Sequence, residues 1–308
     1  QAVYSTTTRA NITAVGVQAA YSNTTGSRSV AIGEYALYDN TTGNDNVAVG
    51  RSALENNTTA SNNTAVGYQA AYSNTTGTRN TGLGYYAVRA STTADDNTGV
   101  GYAALYLTTA AFNTAVGSQA LISNTSGGSN AALGYNALGS STTGYNNTGI
   151  GTQALNSNTT GYHNTALGWQ AAYSLTTARD TTAIGKQALY STTTGIENTA
   201  VGKDAGYSNT AGTRNLYLGR NAGYSGTTAT DNTAVGDTAL YYNTGNWNVA
   251  VGRTALINST GSYNTGVGGQ ALYNQTTGTN NVAVGYTALL SNTTATESTA
   301  VGYQAGYS

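Results

Sequence analysis

The sequence predicts an all-β fold, a β-solenoid of about 18 coils with a 17-residue period. Three features of its 308 residues predict this fold. A glycine recurs at a nearly constant interval, Val, Ile or Leu directly precedes it, and alanine follows it three positions later. A short unit repeated at a fixed period is typical of a chain that stacks one coil on the next.

The recurring glycine, here called the marker glycine, gives each unit its numbering, and every other position is counted from it. Fourteen of the 17 intervals between marker glycines are 17 residues long and three are 16. The short units lose a residue in their polar turn, as a comparison of Thr41–Asn44 with Thr244–Asn246 shows. The apolar positions therefore stay in phase. The marker glycines are Gly16, Gly33, Gly50, Gly67, Gly84, Gly101, Gly117, Gly134, Gly151, Gly168, Gly185, Gly202, Gly219, Gly236, Gly252, Gly268, Gly285 and Gly302.

Each unit is expected to hold two short strands, a TAV-like segment before the marker glycine and a QALY-like segment after it. The Asn-Thr-Thr-Gly segment that follows has turn chemistry. Equivalent positions stacked about 4.8 Å apart are expected to form Asn amide ladders, Thr hydroxyl ladders and Tyr stacks. A helical solenoid is excluded because a unit with two glycine-marked breaks has no room for two helices. We expect residues 1–308 to be a single continuous repeat array from the interior of a longer fibre protein.

The predicted core has two columns of residues. At position −1 it includes Val15, Ile32, Val49 and Val66, and at position +3 it includes Ala36, Ala53, Ala70 and Ala87. Successive side chains on a strand face opposite sides, and both sides of both predicted strands are apolar or small. A two-strand coil buries one face of each strand by itself. The second face therefore predicts a partner surface, and a parallel homotrimer supplies one.

Composition excludes several functional classes. Charged residues are 7% of the chain, the net charge is −1, and there is no Cys. Disulfides and thiolate metal sites are thus excluded, and no basic footprint for nucleic acid is present. No apolar run approaches 18 residues, so we expect no membrane insertion in this segment. We predict no cofactor and no metal.

Charged residues gather at position +12, where five consecutive units carry His163, Asp180, Glu197, Arg214 and Asp231. Asp180 and Glu197, one coil apart beside the only His, could act as the carboxylate pair of a glycosidase. The alternative is an exposed ladder of opposite charges with little energetic weight. We predict the ladder, and no catalytic residue, because nothing apolar surrounds this column.

Position +8 is Thr in every complete unit, from Thr24 to Thr293. Regular Thr rows on a flat solenoid face are typical of ice-binding surfaces, so ice binding is a rival function. We prefer structural turn ladders, because the row lies in a predicted turn flanked by Asn and Gly.

The repeats resemble those of a known family. SVAIG at 29–33, NVAVG at 46–50 and NTAVG at 63–67 resemble the YadA-like head repeats of trimeric autotransporter adhesins. NTAVGYQAAYSNTTG at 63–77 resembles the repeat arrays of phage-type tail fibre proteins. The resemblance implies a trimeric, left-handed parallel β-roll that displays a binding surface. The chain departs from the adhesin heads in its longer, 17-residue unit.

These observations together predict a non-enzymatic structural or adhesive segment of an extracellular or virion surface fibre. The expected partner is the chain itself, as a homotrimer or filament, with a host-surface glycan or protein as receptor. The rivals are an ice-binding solenoid, a secreted self-assembling filament and a glycan-cleaving spike.

Overall fold

A computed structural model describes residues 11–307. In this range every regular secondary-structure element is a β-strand, and there is no helix. The chain forms two compact units. The first ends at Gln153 and includes Asn158–Thr160, and the second comprises Ala154–Ser157 and the residues from Gly161 onward. Each unit is a β-solenoid of parallel strands with one strand per coil. The predicted all-β solenoid fold is therefore confirmed.

The strands are short, and each ends directly before a marker glycine. The first unit contains β1 (Ile12–Val15), β2 (Ser29–Ile32), β3 (Val47–Val49), β4 (Thr64–Val66), β5 (Thr81–Leu83), β6 (Thr98–Val100), β7 (Thr114–Val116), β8 (Ala131–Leu133) and β9 (Thr148–Ile150). The second contains β10 (Thr165–Leu167), β11 (Thr182–Ile184), β12 (Thr199–Val201), β13 (Leu216–Leu218), β14 (Thr233–Val235), β15 (Val249–Val251), β16 (Thr265–Val267), β17 (Val282–Val284) and β18 (Thr299–Val301).

Strands of neighbouring coils pair in register, so that each column of the repeat becomes a row along the sheet. Val66 of β4 pairs with Leu83 of β5. A 16-residue coil keeps the register, since Thr98 of β6 pairs with Thr114 of β7. The shortened turns thus leave the strand columns in phase, as the sequence predicts.

The prediction of a second strand in the QALY-like segment is wrong, because residues +1 to +6 form turns. The cause is a backbone that alternates between positive and negative φ. In the coil of Gly67, Gln69 at +2 has φ 51° and Ala71 at +4 has φ 50°. Gln69 N–H donates to Arg51 O of the preceding coil, and Ala71 N–H donates to Ala87 O of the following coil. The segment therefore bonds to both neighbouring coils without becoming extended.

This turn changes which residues form the core. Ala70 at +3 and Ala71 at +4 are both buried within their own chain, as are Ala36 and Leu37. In an extended strand such neighbours would face opposite sides, which was the basis for expecting a partner on this segment. Ala36, Ala53, Ala70 and Ala87 are all fully buried by the chain itself. The second segment therefore supplies no reason for a partner chain.

Buried asparagines complete the core as two amide ladders. At position −4, the Asn46 side chain accepts the Asn63 N–H at 2.9 Å and donates from Nδ2 to Ala60 O at 2.8 Å. At position +7, Asn57 Nδ2 donates to Asn40 Oδ1 at 2.8 Å and to Ala60 O at 3.0 Å. The ladders confirm the predicted amide stacking. They join the polar turn to the rest of the coil by hydrogen bonds. This matters because the coil has few large apolar residues to hold the turn by packing.

The +7 ladder is interrupted at Ser91. Within the described residues, the buried Asn74 Oδ1 and Ser91 Oγ atoms have no hydrogen-bond partner. We expect Ser91→Asn to stabilise the protein by about 1 kcal/mol, because the new amide supplies the donor that Asn74 lacks. Urea denaturation measures the gain. Ser73→Asn, at the more exposed position +6, is the control and should change stability by no more than about 0.5 kcal/mol. Equal effects of the two changes would contradict this role of the ladder.

Candidate functional site

The outward side of the strands is a regular surface of each unit, because the strands pair in register. Positions −3 and −1 project from it, and we call these two columns the strand face. The alanines at −2 face inward and, except in the end strands β1 and β18, are buried, as Ala65 and Ala166 are. The predicted core residues Val15, Ile32 and Val66 are exposed by 58%, 39% and 38%, and Val49 is half-buried. Their assignment to the core of the single chain is wrong, because strand alternation places −2 inside and −1 outside.

The strand face carries no charge, and one of its two columns is wholly aliphatic. Position −1 is Val, Ile or Leu in every repeat, whereas position −3 is Thr in 12 of the 18 repeats and Val, Ala or Leu in the others. Large exposed members include Leu133, Leu167 and Leu218. Contiguous apolar surface of this kind marks an interaction site more often than a solvated wall. The sequence identifies the aliphatic column as part of the core of the assembly, and the smaller residue at −2, which a narrow interior requires, is the signal that places this column on the outside of the single chain.

Tyrosines at position +5 form a stacked row in the second unit. The ring centroids of Tyr173, Tyr190, Tyr207, Tyr224 and Tyr241 are 4.9–5.2 Å apart, and successive rings lie within 9° of parallel. The rings are half-buried, and desolvation raises the pKa of Tyr190 and Tyr241. The predicted aromatic stack is confirmed. Because the rings cover one another, this row offers ring edges and hydroxyls rather than open faces.

The Thr residues at +8 are bonded to the backbone. Thr24 Oγ1 donates to Thr41 O at 2.8 Å, and Thr41 Oγ1 donates to Thr58 O at 3.0 Å. The hydroxyl–hydroxyl ladder expected from the sequence is therefore replaced by a hydroxyl–carbonyl ladder. It gives these hydroxyls a structural role in joining neighbouring turns.

The charged column at +12 lies on the surface of the turn, and its residues have positive φ. Arg214 and Asp231 form a bidentate pair with bonds of 2.7 and 2.8 Å. The same spacing joins Arg28 to Asp45 and Arg79 to Asp96. The arginines hold the pKa values of Asp45, Asp96 and Asp231 below the ordinary value by hydrogen bonding. Such exposed pairs add little to stability.

The proposed acid/base residues lie in the same open column. His163 Nδ1 is 3.3 Å from Asp180 Oδ1, and Arg179 also pairs with Asp180 at 3.3 Å. The side chains of His163 and Asp180 are 46% and 39% exposed, and Glu197 is exposed as well. Solvent reaches these exposed side chains, so the column lacks the enclosed surroundings typical of a catalytic carboxyl group. This geometry favours the charge ladder over the glycosidase hypothesis.

The part of the chain that the structure describes holds no group of three His, Asp or Glu residues placed to bind a metal ion. It also holds no helix with the length and apolar character needed to cross a membrane. The sequence matches no protein-family model and no curated protein.

Proposed function

We propose that the chain is a structural and adhesive segment of an extracellular or virion surface fibre, and that it works as a left-handed parallel homotrimer without catalytic activity. The observation that carries this proposal is the strand face. It is an unbroken, uncharged column of Val, Ile and Leu on the outside of each unit. A monomer in water would leave every member of this column exposed or half-buried.

Two further copies of the chain are the partner that fits this face. Every 17-residue repeat presents similar uncharged residues at −3 and −1, so a parallel copy in register meets similar chemistry at each coil. Burial of exposed aliphatic side chains contributes roughly 25 cal/mol per Å² of apolar surface. The absence of charge in these two columns avoids the desolvation cost that a buried ion would bring.

The other surfaces suit display rather than packing. Position +1 varies among Glu34, Arg51, Tyr68, Ser118 and other residue types, whereas the inward positions vary little. A constant interior with a variable exterior lets one fold present different side chains along its length. This arrangement supports adhesion to a host-surface glycan or protein.

Substitutions that introduce carboxylates on the strand face test the trimer. Leu133→Asp with Leu167→Asp is expected to shift the trimer toward folded monomer, because six carboxylates per trimer would be desolvated. Leu107→Asp with Tyr242→Asp is the matched control: these residues at +6 are also exposed but lie off the strand face. Light scattering coupled to size exclusion measures the mass, and circular dichroism checks the fold.

From the sequence alone, Ala65→Asp or Ala166→Asp would be expected to disrupt the assembly and Lys203→Asp to be tolerated. The two alanines are fully buried in their own chain, so an Asp there would unfold a coil and report nothing specific about assembly. A wild-type chain that is monomeric at all concentrations would contradict the trimer. If that monomer also showed thermal hysteresis, ice binding, the rival function predicted for the Thr row at +8, would replace the proposed function.

A further inference from the structure

A surface cleft of about 190 Å³ interrupts the regular exterior of the first unit. Its lining residues are Tyr86, Tyr102, Ala103, Tyr106, Gln119 and Ile122. They come from three successive coils, at positions +1, +2 and +5. The cleft is smaller than the roughly 300–1,000 Å³ of a drug-sized pocket, so it suits a single ring.

The cleft exists because column +2 has a small side chain, Ala103, where the other repeats have a larger one. Position +2 is Gln, Asn, Tyr, Ser, Thr or Asp in the other 17 units, and alanine only at Ala103. Tyr86 and Gln119 occupy the same position in the preceding and following coils. The short Ala103 side chain therefore leaves a gap between them, and the rest of the coil keeps its ordinary backbone, with φ 53° at Ala103.

An open aromatic face borders this gap. Tyr68, Tyr85 and Tyr102 stack at +1 with centroid distances of 5.0 and 5.6 Å. The stack ends at Tyr102, because the next residue in the column is the small Ser118. Tyr102 is 52% exposed. Unlike the inner rings of the second unit's row, it has no stacked aromatic neighbour on its far side among the described residues.

A cation stands beside the cleft. Arg89 takes the +5 position, and its guanidinium lies 5.1 Å from the centroid of Tyr86 and 5.6 Å from that of Tyr106. Its hydrogen bonds, to Gln69 at 3.1 Å and to the Tyr106 hydroxyl at 3.4 Å, use two of its five N–H donors. Within residues 11–307 it pairs with no carboxylate, unlike Arg28, Arg79 and Arg214.

No other charge competes with Arg89 on this surface. Between Gly67 and Gly134, positions +1 to +6 carry no other charged residue. The Arg89 guanidinium is positioned by Tyr86 and Tyr106 and forms no ion pair with a carboxylate of the described residues. A carboxylate on a bound molecule would complete a charge-assisted hydrogen bond there.

We propose that this cleft binds one carboxylated sugar residue of a glycan. A pyranose ring presents C–H groups that pack on the open face of Tyr102. Its hydroxyls match the Gln119 amide and the Tyr106 hydroxyl, and its carboxylate pairs with Arg89. The assignment names a ligand class for the adhesive surface and rests on the proposed adhesive function for its biological context.

The full chain is titrated by calorimetry with glucuronic acid, N-acetylneuraminic acid and glucose as probes. We expect one or both acidic sugars to bind more tightly than glucose, and the two acids distinguish a uronic from a sialic source. Ala103→Gln fills the cleft with a residue common at +2 and should weaken acidic-sugar binding at least about tenfold. Thr254→Gln, the same type of change at +2 in the second unit, should leave binding unaltered.

Arg89→Tyr restores the aromatic residue common at +5 and removes the charge. It should abolish the preference for acidic sugars while circular dichroism stays unchanged. Lack of binding by both acids, or equal binding by Ala103→Gln, would overturn the cleft assignment. Equal acid preference in Arg89→Tyr would overturn the carboxylate pairing. Light scattering on the same samples reports the trimer separately, so the two proposals fail independently.

Discussion

Gly268→Ala is expected to destabilise the second unit strongly, whereas Gly269→Ala, one residue further on, is expected to be tolerated. Gly268 is a marker glycine with φ +132°, a conformation that L-residues rarely adopt. A Cβ built on it would lie 2.5 Å from the carbonyl carbon of Gly285 in the next coil. Backbone cannot move aside there without breaking the sheet register. The Cβ of an alanine at 269 would meet nothing closer than the Tyr286 ring, at 3.2 Å.

The expected loss for Gly268→Ala is about 3–5 kcal/mol, from backbone strain of about 1–3 kcal/mol and overpacking of similar size. Gly269→Ala should stay within about 0.5 kcal/mol of wild type. Chemical denaturation followed by circular dichroism measures both. Similar midpoints for the two variants would mean that stacked coils separate easily at the marker glycine, contrary to the geometry described here.

The period and the register of the fold follow from the sequence because both are properties of columns. A glycine that cannot carry a Cβ and an aliphatic residue beside it recur in every unit. The backbone of the second segment does not follow from the sequence. Leu37 and Leu54 have φ values of 52° and 51°, and nothing about leucine signals a left-handed conformation, which is an outlier for bulky residues. That backbone turns both +3 and +4 inward.

Some surface features also follow from the sequence, and others do not. The Arg28–Asp45 and Arg79–Asp96 pairs are predictable, since opposite charges one repeat apart meet wherever coils stack. The cleft at Ala103 is not predictable from the sequence alone. An alanine at +2 means a gap only once position +2 is known to lie on the surface between two neighbouring coils.

Three residues in neighbouring coils of the second unit depart from the repeat together. Tyr217 of β13 occupies position −2, where the other units have Ala or Gly, and it is the largest fully buried side chain among the described residues. Position +4, mostly Leu or Ala elsewhere, is glycine at Gly206 and Gly223 in the coils on either side of its ring. A Cβ at Gly206 would lie 2.6 Å from Tyr217 Cδ2, and one at Gly223 would also overlap the ring. The two glycines therefore make the space that the tyrosine fills.

We expect Tyr217→Ala alone to destabilise the second unit by about 3–5 kcal/mol, because it leaves an unfilled cavity. Gly206→Leu with Gly223→Leu alone should also destabilise it, through overlap with the ring. The triple variant restores the common repeat, with Ala at −2 and Leu at +4. The backbone already allows it: φ is 61° at Gly206 and 62° at Gly223, close to the 51° of Leu240 at the same position.

Denaturation midpoints of the wild type, the two partial variants and the triple variant form a thermodynamic cycle. The triple variant should recover most of the stability lost by either partial variant, so the coupling energy should be favourable by several kcal/mol. Additive losses would show that the three residues act independently. A strong favourable coupling would show instead that the narrow interior conserves volume across neighbouring coils, so that a large residue at −2 requires glycine at +4 on both sides.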